Sequence, residues 1–304
     1  MVKKRALLVG INKYRESPLK GCVNDVILMY KILNEKYGFS KDDIVVLCDE
    51  EATRGGIIEE LRHLTYDAKP GDTIYFHFSG HGSQVVSSDW TSSDEPDGFD
   101  EIICPVDMDW SNPLTDNTLN SFFIGLDKNV KSLVVLDCCH SGNGMRSYKN
   151  DIKSNRFLHP PVSNILSNGT INIDDDLNFI LPKYNPYDIK THVKQFIVTT
   201  SRQGHTVLIT GCGENQTSAD ALIGGRYHGA LTYYLATILK HDKYHITYHD
   251  LICKLNKRMD KNGFDQNPQL ECKNKQIVEN FMWSEFKNIG RVPWYKKLIQ
   301  YFIG

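Results

Sequence analysis

Short apolar runs alternate with stretches of helical spacing along the first half of the chain. Residues 6–10, 44–47, 73–78 and 133–136 are brief runs rich in Val, Ile, Leu and Phe, which predicts buried strands. Between them, Val26, Met29, Tyr30 and Leu33 recur at helical spacing after Gly21-Cys-Val-Asn-Asp25, and 51–64 reads as a second helix. Strands alternating with helices predict an α/β fold: a mostly parallel sheet with helices on both faces. Residues 84–100 break the rhythm with five acids and four serines and are expected to be loop. A short strand outside the main sheet is expected over 101–106, and a short helix over 116–123.

From 143 to 192 the chain carries asparagines, four prolines and an Asp174-Asp-Asp176 run, with no sustained periodicity. Structureless stretches of this length inside a domain are usually functional or disordered. Regular patterning then resumes, with strands expected over 196–199, 207–210 and 267–271 and helices over 229–239 and 247–259. The chain therefore divides into a first half at 1–142, an insert at 143–192, a second half at 193–280 and a tail at 281–304, with one catalytic domain in all. The tail mixes aromatic and basic residues, and we expect it to dock on the domain as a helix or strand rather than lie on a membrane.

Composition narrows the class. The 304 residues are 40% hydrophobic and 24% charged with a net charge of −2, so no global basic excess points to nucleic acid. No apolar run is long enough for a bilayer, and Met1-Val-Lys-Lys-Arg leads into a strand without a signal-peptide pattern. Eight cysteines are scattered without a C-x-x-C pair, which suits free thiols in a cytoplasmic protein. We expect a monomer.

Two strand ends carry the reactive residues. The run at 133–136 breaks into Asp137-Cys-Cys-His-Ser-Gly142, and the run at 73–78 into Ser79-Gly-His-Gly82. The carboxyl ends of strands are where open α/β sheets place their chemistry. A thiol attacks as thiolate, and a nearby imidazole can take its proton and later protonate a leaving amine. Backbone N–H groups of Gly82 and Cys139 are candidate oxyanion donors, since each sits where the chain leaves a strand. Cys138 and His140 compete on composition alone, but alternation puts Cys138 on the opposite face from Cys139, into packing. Zinc held by Cys138, Cys139 and His140 is the weaker reading, because three adjacent ligands are not the usual spacing. No G-x-G-x-x-G or Walker A stretch supports a nucleotide site.

Taken together, Ser79-Gly-His-Gly82 and Asp137-Cys-Cys-His-Ser-Gly142 resemble the catalytic pair of the metacaspases. Further matching stretches are Gly21-Cys-Val-Asn-Asp25, Asp97-Gly-Phe-Asp100, Cys104-Pro-Val-Asp107, Gly211-Cys212, Gln216-Thr-Ser-Ala-Asp220 and Gln266-Asn-Pro-Gln-Leu-Glu271. The resemblance implies a caspase-haemoglobinase fold with a central six-stranded sheet and peptide hydrolysis after Arg or Lys. It implies Cys139 as nucleophile, His81 as general base and acid, and an S1 pocket of Cys22, Asp25, Ser79 and Asp137. Two carboxylates suit a guanidinium or ammonium partner, although Asp25 could instead merely complement a helix dipole. No cofactor is needed for the chemistry.

The same resemblance implies a calcium site at Asp100, Asp116 and Asn117, acting as an activator. A second adjacent Asp is replaced by Asn117, and Gly144-Met-Arg146 stands where a further ligand is usual, so weak binding is expected. The insert carries Arg146, Lys149, Lys153, Arg156, Lys183 and Lys190, each a candidate for self-cleavage. A catalytically silent interaction module is the alternative from another class.

Overall fold

A computed structural model describes residues 2–86, 99–139, 153–161, 206–213, 216–272, 274–280 and 282. Its centre is a six-stranded sheet in which β1 (Lys4–Gly10), β2 (Ile44–Cys48), β3 (Thr73–Ser79), β7 (Lys131–Asp137), β9 (Thr206–Thr210) and β12 (Gln269–Glu271) run in the order β12-β9-β7-β3-β1-β2. All neighbours are parallel except β12, which pairs antiparallel with β9 at the edge. The second half of the chain thus extends the sheet begun by the first.

Alternation along the strands separates two cores, because successive side chains of a strand point to opposite faces. Ala6, Leu8, Tyr75, Leu133 and Val135 face α1 (Cys22–Tyr37), α4 (Ala230–His241) and α5 (Tyr248–Lys261). Leu7, Val9, Phe76, Phe78, Val134, Leu136 and Cys138 face α2 (Arg54–Thr65) and α3 (Asp116–Phe123). The helices contribute matching stripes: Val26, Met29 and Leu33 from α1, and Ile57, Leu61 and Leu64 from α2. Each fully buried side chain of this kind contributes about 1.5–3 kcal/mol relative to exposure.

The expected strands and helices of the first half stand within a few residues of their predicted places, and α3 occupies the predicted 116–123. Two stretches carry more structure than their sequence pattern shows. Residues 84–100 are not all loop, since β4 (Gly82–Val86) and β5 (Phe99–Ile103) pair antiparallel and continue to β6 (Leu114–Thr115) in a separate small sheet. The insert is not without structure either. Lys153–Asn155 forms β8, which pairs antiparallel with β10 (Ala219–Ile223), itself paired with β11 (Arg226–Gly229). Neither strand has an alternating apolar face to betray it, because each is held by backbone pairing over a short span. The strand expected at 196–199, most of the insert and the tail from 283 lie outside the described residues.

Candidate active site

Parallel pairing brings three strand ends level. Gly10 of β1 stands opposite Ser79 of β3, and Ser79 opposite Asp137 of β7. The chain leaves β3 through Gly80-His81-Gly82 and β7 through Cys138-Cys139, so the two reactive segments emerge side by side. Helix α1 approaches closely because Gly10 has no side chain: a methyl there would lie 2.6 Å from Val26 Cγ2 and 2.7 Å from the Cys22 carbonyl oxygen. That approach delivers Asp25, in the first turn of α1, beneath Ser79. From the far side, β10 brings Asp220 and β11 ends in Gly229.

These groups enclose Arg156, whose side chain is 0% exposed. Its Nη1 donates to Ser79 Oγ at 2.8 Å and to the Asp137 carbonyl oxygen at 2.9 Å, and lies 3.2 Å from Asp137 Oδ1. Its Nη2 donates to Asp25 Oδ2 at 2.9 Å and Asp220 Oδ1 at 3.1 Å. The carboxylates are themselves anchored. Asp25 accepts from Ser79 Oγ at 2.7 Å and the Gly229 N–H at 2.9 Å, and lies 3.0 Å from His228 Nδ1. Asp137 accepts from the Thr232 N–H and hydroxyl, and Asp220 from the N–H groups of Lys20 and Gly21.

The electrostatics follow from burial and pairing. Burial works against the Asp25 carboxylate, but Arg156, His228 and Ser79 together hold its pKa below the usual range. Burial raises Asp137, although Arg156 and Thr232 oppose the rise. Burial also disfavours the Arg156 cation, yet Asp137, Cys22, Asp25 and Asp220 keep it firmly protonated. A buried charge persists only when paired and hydrogen-bonded in this way. The site thus holds one guanidinium, that of Arg156, among three carboxylates.

The backbone of Arg156 is held as closely as its side chain. Its carbonyl oxygen accepts from the Gly82 N–H at 2.9 Å and the Cys139 N–H at 3.2 Å, while its own N–H donates to the Ser218 carbonyl at 3.0 Å. On the following side, the Leu158 N–H donates to the Gly82 carbonyl at 3.0 Å, and Phe157 packs with Cys139 and Cys212. Two N–H groups converging on one peptide oxygen are what a developing oxyanion requires. The Cys139 sulfur receives the Ser218 N–H at 2.6 Å and points its thiol toward the Ser218 carbonyl at 3.4 Å.

His81 is oriented from two sides. Its backbone N–H donates to Tyr14 Oη at 2.9 Å, and the Tyr14 ring stacks at a tilt 4.6 Å from the imidazole. Its Nε2 lies 2.7 Å from the Ser17 carbonyl oxygen, which fixes the proton on Nε2 and leaves Nδ1 as the basic nitrogen. Nδ1 has no hydrogen-bond partner among the described residues. Burial lowers the His81 pKa to about 4, against a rise from the Ser17 carbonyl. Burial, with the neighbouring Cys212 thiol, pushes the Cys139 thiol up. Both groups are neutral while the strand covers them.

Of the predicted residues, His81, Gly82, Cys139, Asp25, Ser79 and Asp137 converge here, and Cys22 is buried beside Ser79. Asp25 is far more than a dipole partner. Cys138 lies with the opposite core, as alternation requires. Sequence reasoning missed Asp220 as a third carboxylate, although it quoted the Gln216–Asp220 stretch. It also missed Ser17, Tyr14, Ser218, His228 and Thr232, whose contributions are largely backbone or supporting contacts. Among the self-cleavage candidates, Arg156 enters the pocket and Lys153 lies on β8; Arg146, Lys149, Lys183 and Lys190 lie outside the described residues.

The predicted calcium residues differ in their surroundings. Asp100 on β5 and Asp116 at the start of α3 are buried, and Asp100 Oδ1 has no hydrogen-bond partner among the described residues. Asn117 is exposed. Among the described residues no three His, Cys, Asp or Glu side chains group to hold a metal ion. Two carboxylates alone fall short of the roughly six to eight oxygens calcium takes. No helix among the described residues is long and apolar enough to cross a membrane.

Known proteins are similar to this chain. A family model described as metacaspase, peptidase C14 domain, matches residues 4–147. Metacaspase-1 of Ajellomyces capsulatus is 30% identical over 89% of this chain and 80% of its own length. Metacaspase-1 of Schizosaccharomyces pombe is 29% identical over 89% of this chain and 67% of its own, and that of Debaryomyces hansenii 31% over 90% and 66%. A crystal structure of protein GSU0716 from Geobacter sulfurreducens superposes with a TM-score of 0.64 at 26% identity, covering 94% of this chain and all of the other.

Proposed function

This chain belongs to the metacaspases, cysteine endopeptidases of the C14 class, and from that premise we propose that it cleaves after Arg or Lys and cuts itself first, at Arg156–Phe157. One observation carries the reading. Arg156 fills an acidic pocket while its carbonyl oxygen takes N–H bonds from Gly82 and Cys139, the arrangement a substrate adopts before attack. Cys139 Sγ attacks the Arg156 carbonyl carbon, its proton passes to His81 Nδ1, and the oxyanion rests on the two N–H groups. His81 then gives that proton to the Phe157 nitrogen as the C–N bond breaks, and water hydrolyses the thioester.

Until that cut the chain obstructs its own cleft, so the uncut protein is a zymogen toward other substrates. Calcium enters this reading only as an activator. Asp100 and Asp116 would supply two of its oxygen ligands, too few to hold the ion by themselves, and no step of the mechanism runs through it.

The test pairs self-cleavage with peptide hydrolysis. Wild-type protein, but not Cys139→Ala, should yield fragments ending at Arg156 by intact mass, with and without added calcium. The processed protein should cut peptides with Arg or Lys before the scissile bond and leave the matched Asp peptide intact. Equal fragmentation of both proteins would refute self-processing. A well-folded protein that cuts no peptide would instead be a silent interaction module.

A further inference from the structure

The strand that delivers Arg156 makes a second side-chain contact three residues upstream. β8 pairs with β10 in fixed register, with Asn155 opposite Ala219, Ser154 opposite Asp220 and Lys153 opposite Ala221. With Arg156 anchored, that register carries Lys153 to the turn that follows α5. There its Nζ lies 4.2 Å from the centroid of the Phe264 ring and donates to the Gly263 carbonyl oxygen at 3.3 Å. Phe264 is buried and meets Tyr234 edge-on, with centroids 5.8 Å apart, so the ring presents a fixed face. Gly263 has a φ of +69°, a left-handed turn that suits glycine.

An aromatic face beside a carbonyl oxygen is a receptor for an ammonium or guanidinium: the ring's quadrupole and the oxygen both attract cation, and neither attracts carboxylate. We propose that Phe264 and Gly263 form a second specificity subsite, selecting a basic side chain three residues before the residue at the cleaved bond. The substrate class is then basic–x–x–Arg, with the two middle positions unselected because Ser154 is exposed and Asn155 only half-buried. This deepens, and rests on, the reading of the acidic pocket as the site for the residue at the cleaved bond.

The motif also orders the self-cleavage candidates. Arg156 has Lys153 three residues before it, and Lys149 has Arg146. Arg146, Lys153, Lys183 and Lys190 have Asn143, Asn150, Ile180 and Tyr187 there, so these four bonds should be poor. Arg156 combines both preferences, since Arg also exploits the pocket bidentately.

The experiment uses the self-processed full chain, alongside an Arg156→Ala chain whose pocket its own linker no longer fills. Internally quenched peptides spanning Lys-Ser-Asn-Arg-Phe-Leu carry Lys, Arg, Ala or Glu at the first position. A further pair carries Asp in place of Arg at the cleaved bond. We expect Lys→Ala to lower kcat/KM roughly fivefold to tenfold and Lys→Glu to lower it more, with Lys→Arg close to neutral. Phe264→Leu, which keeps apolar volume but removes the ring, should bring the Lys/Ala ratio near one, while Phe264→Tyr preserves it. Equal rates on the Lys and Ala peptides, or an undiminished preference in Phe264→Leu, would overturn the proposal. A preference for Asp at the cleaved bond would instead overturn the reading of the acidic pocket. Failure to cut any peptide would remove that reading and the subsite with it.

Discussion

Gly229 shows how little room the acidic pocket leaves around its guest. A methyl group added there would collide with Asp137 Oδ2 and with Arg156 Nη1. Both are held by other bonds, so neither moves freely. Gly229→Ala should therefore lower kcat/KM for Arg peptides by about a hundredfold, since an uncompensated loss in a buried charge network costs ~3 kcal/mol. The mass of the Cys139 peptide after iodoacetamide treatment checks that the nucleophile still reacts. Asp25→Asn probes charge at nearly constant shape. The substituted amide retains an acceptor for Gly229 and Ser79 but no longer neutralises Nη2 of a bound Arg, which also loses a charge-assisted bond. The effect should fall on KM for Arg and Lys peptides, with the rate of alkylation at Cys139 unchanged.

At the scale of elements, the loop between β1 and α1 governs the base. Ser17 holds His81 through its carbonyl oxygen and sits at a φ of +56°, where β-branched residues are strained. Ser17→Gly should retain peptide hydrolysis, because the group that matters is backbone. Ser17→Val should cost about 1–3 kcal/mol in strain and reduce kcat, with KM held, as the imidazole loses its orientation. Thermal unfolding and steady-state kinetics on the two variants separate these effects. This loop also illustrates what could be read beforehand. The sheet and its helices were legible because their apolar positions repeat with fixed periods, Cys139 and His81 because their side chains announce their chemistry, and Asp25 and Asp137 through the resemblance to the metacaspases. A serine carbonyl carries no such mark. Asp220 belonged to a stretch already noticed, but its approach to Asp25 depends on β10 folding back across almost two hundred residues. The polar Lys-Ser-Asn of β8 has no periodicity, because it is ordered by the cleft it occupies, as a ligand is.

Across the whole molecule, covering the cleft changes the acid–base state of the dyad, and pH makes this visible. With β8 and Arg156 in place, burial lowers the His81 pKa to about 4, well under the usual value near 6.5 for imidazole. Catalysis in the proposed mechanism needs His81 neutral, so activity falls as pH drops through its pKa. For self-cleavage the chain starts with the strand already seated, and the acidic limb should lie near the depressed value. The same holds for kcat on added peptides, which reports the occupied enzyme, whereas kcat/KM reports the free one. In the processed chain with an empty cleft, water returns to the imidazole, and the acidic limb of kcat/KM should move up toward the ordinary histidine range. Single-turnover self-cleavage and steady-state peptide hydrolysis, each followed from about pH 4 to 8 with the protein's fold monitored by circular dichroism, give the two limbs independently. Coincident limbs near the ordinary imidazole value would mean that the seated strand does not desolvate His81, and that the cleft is open to water even when filled.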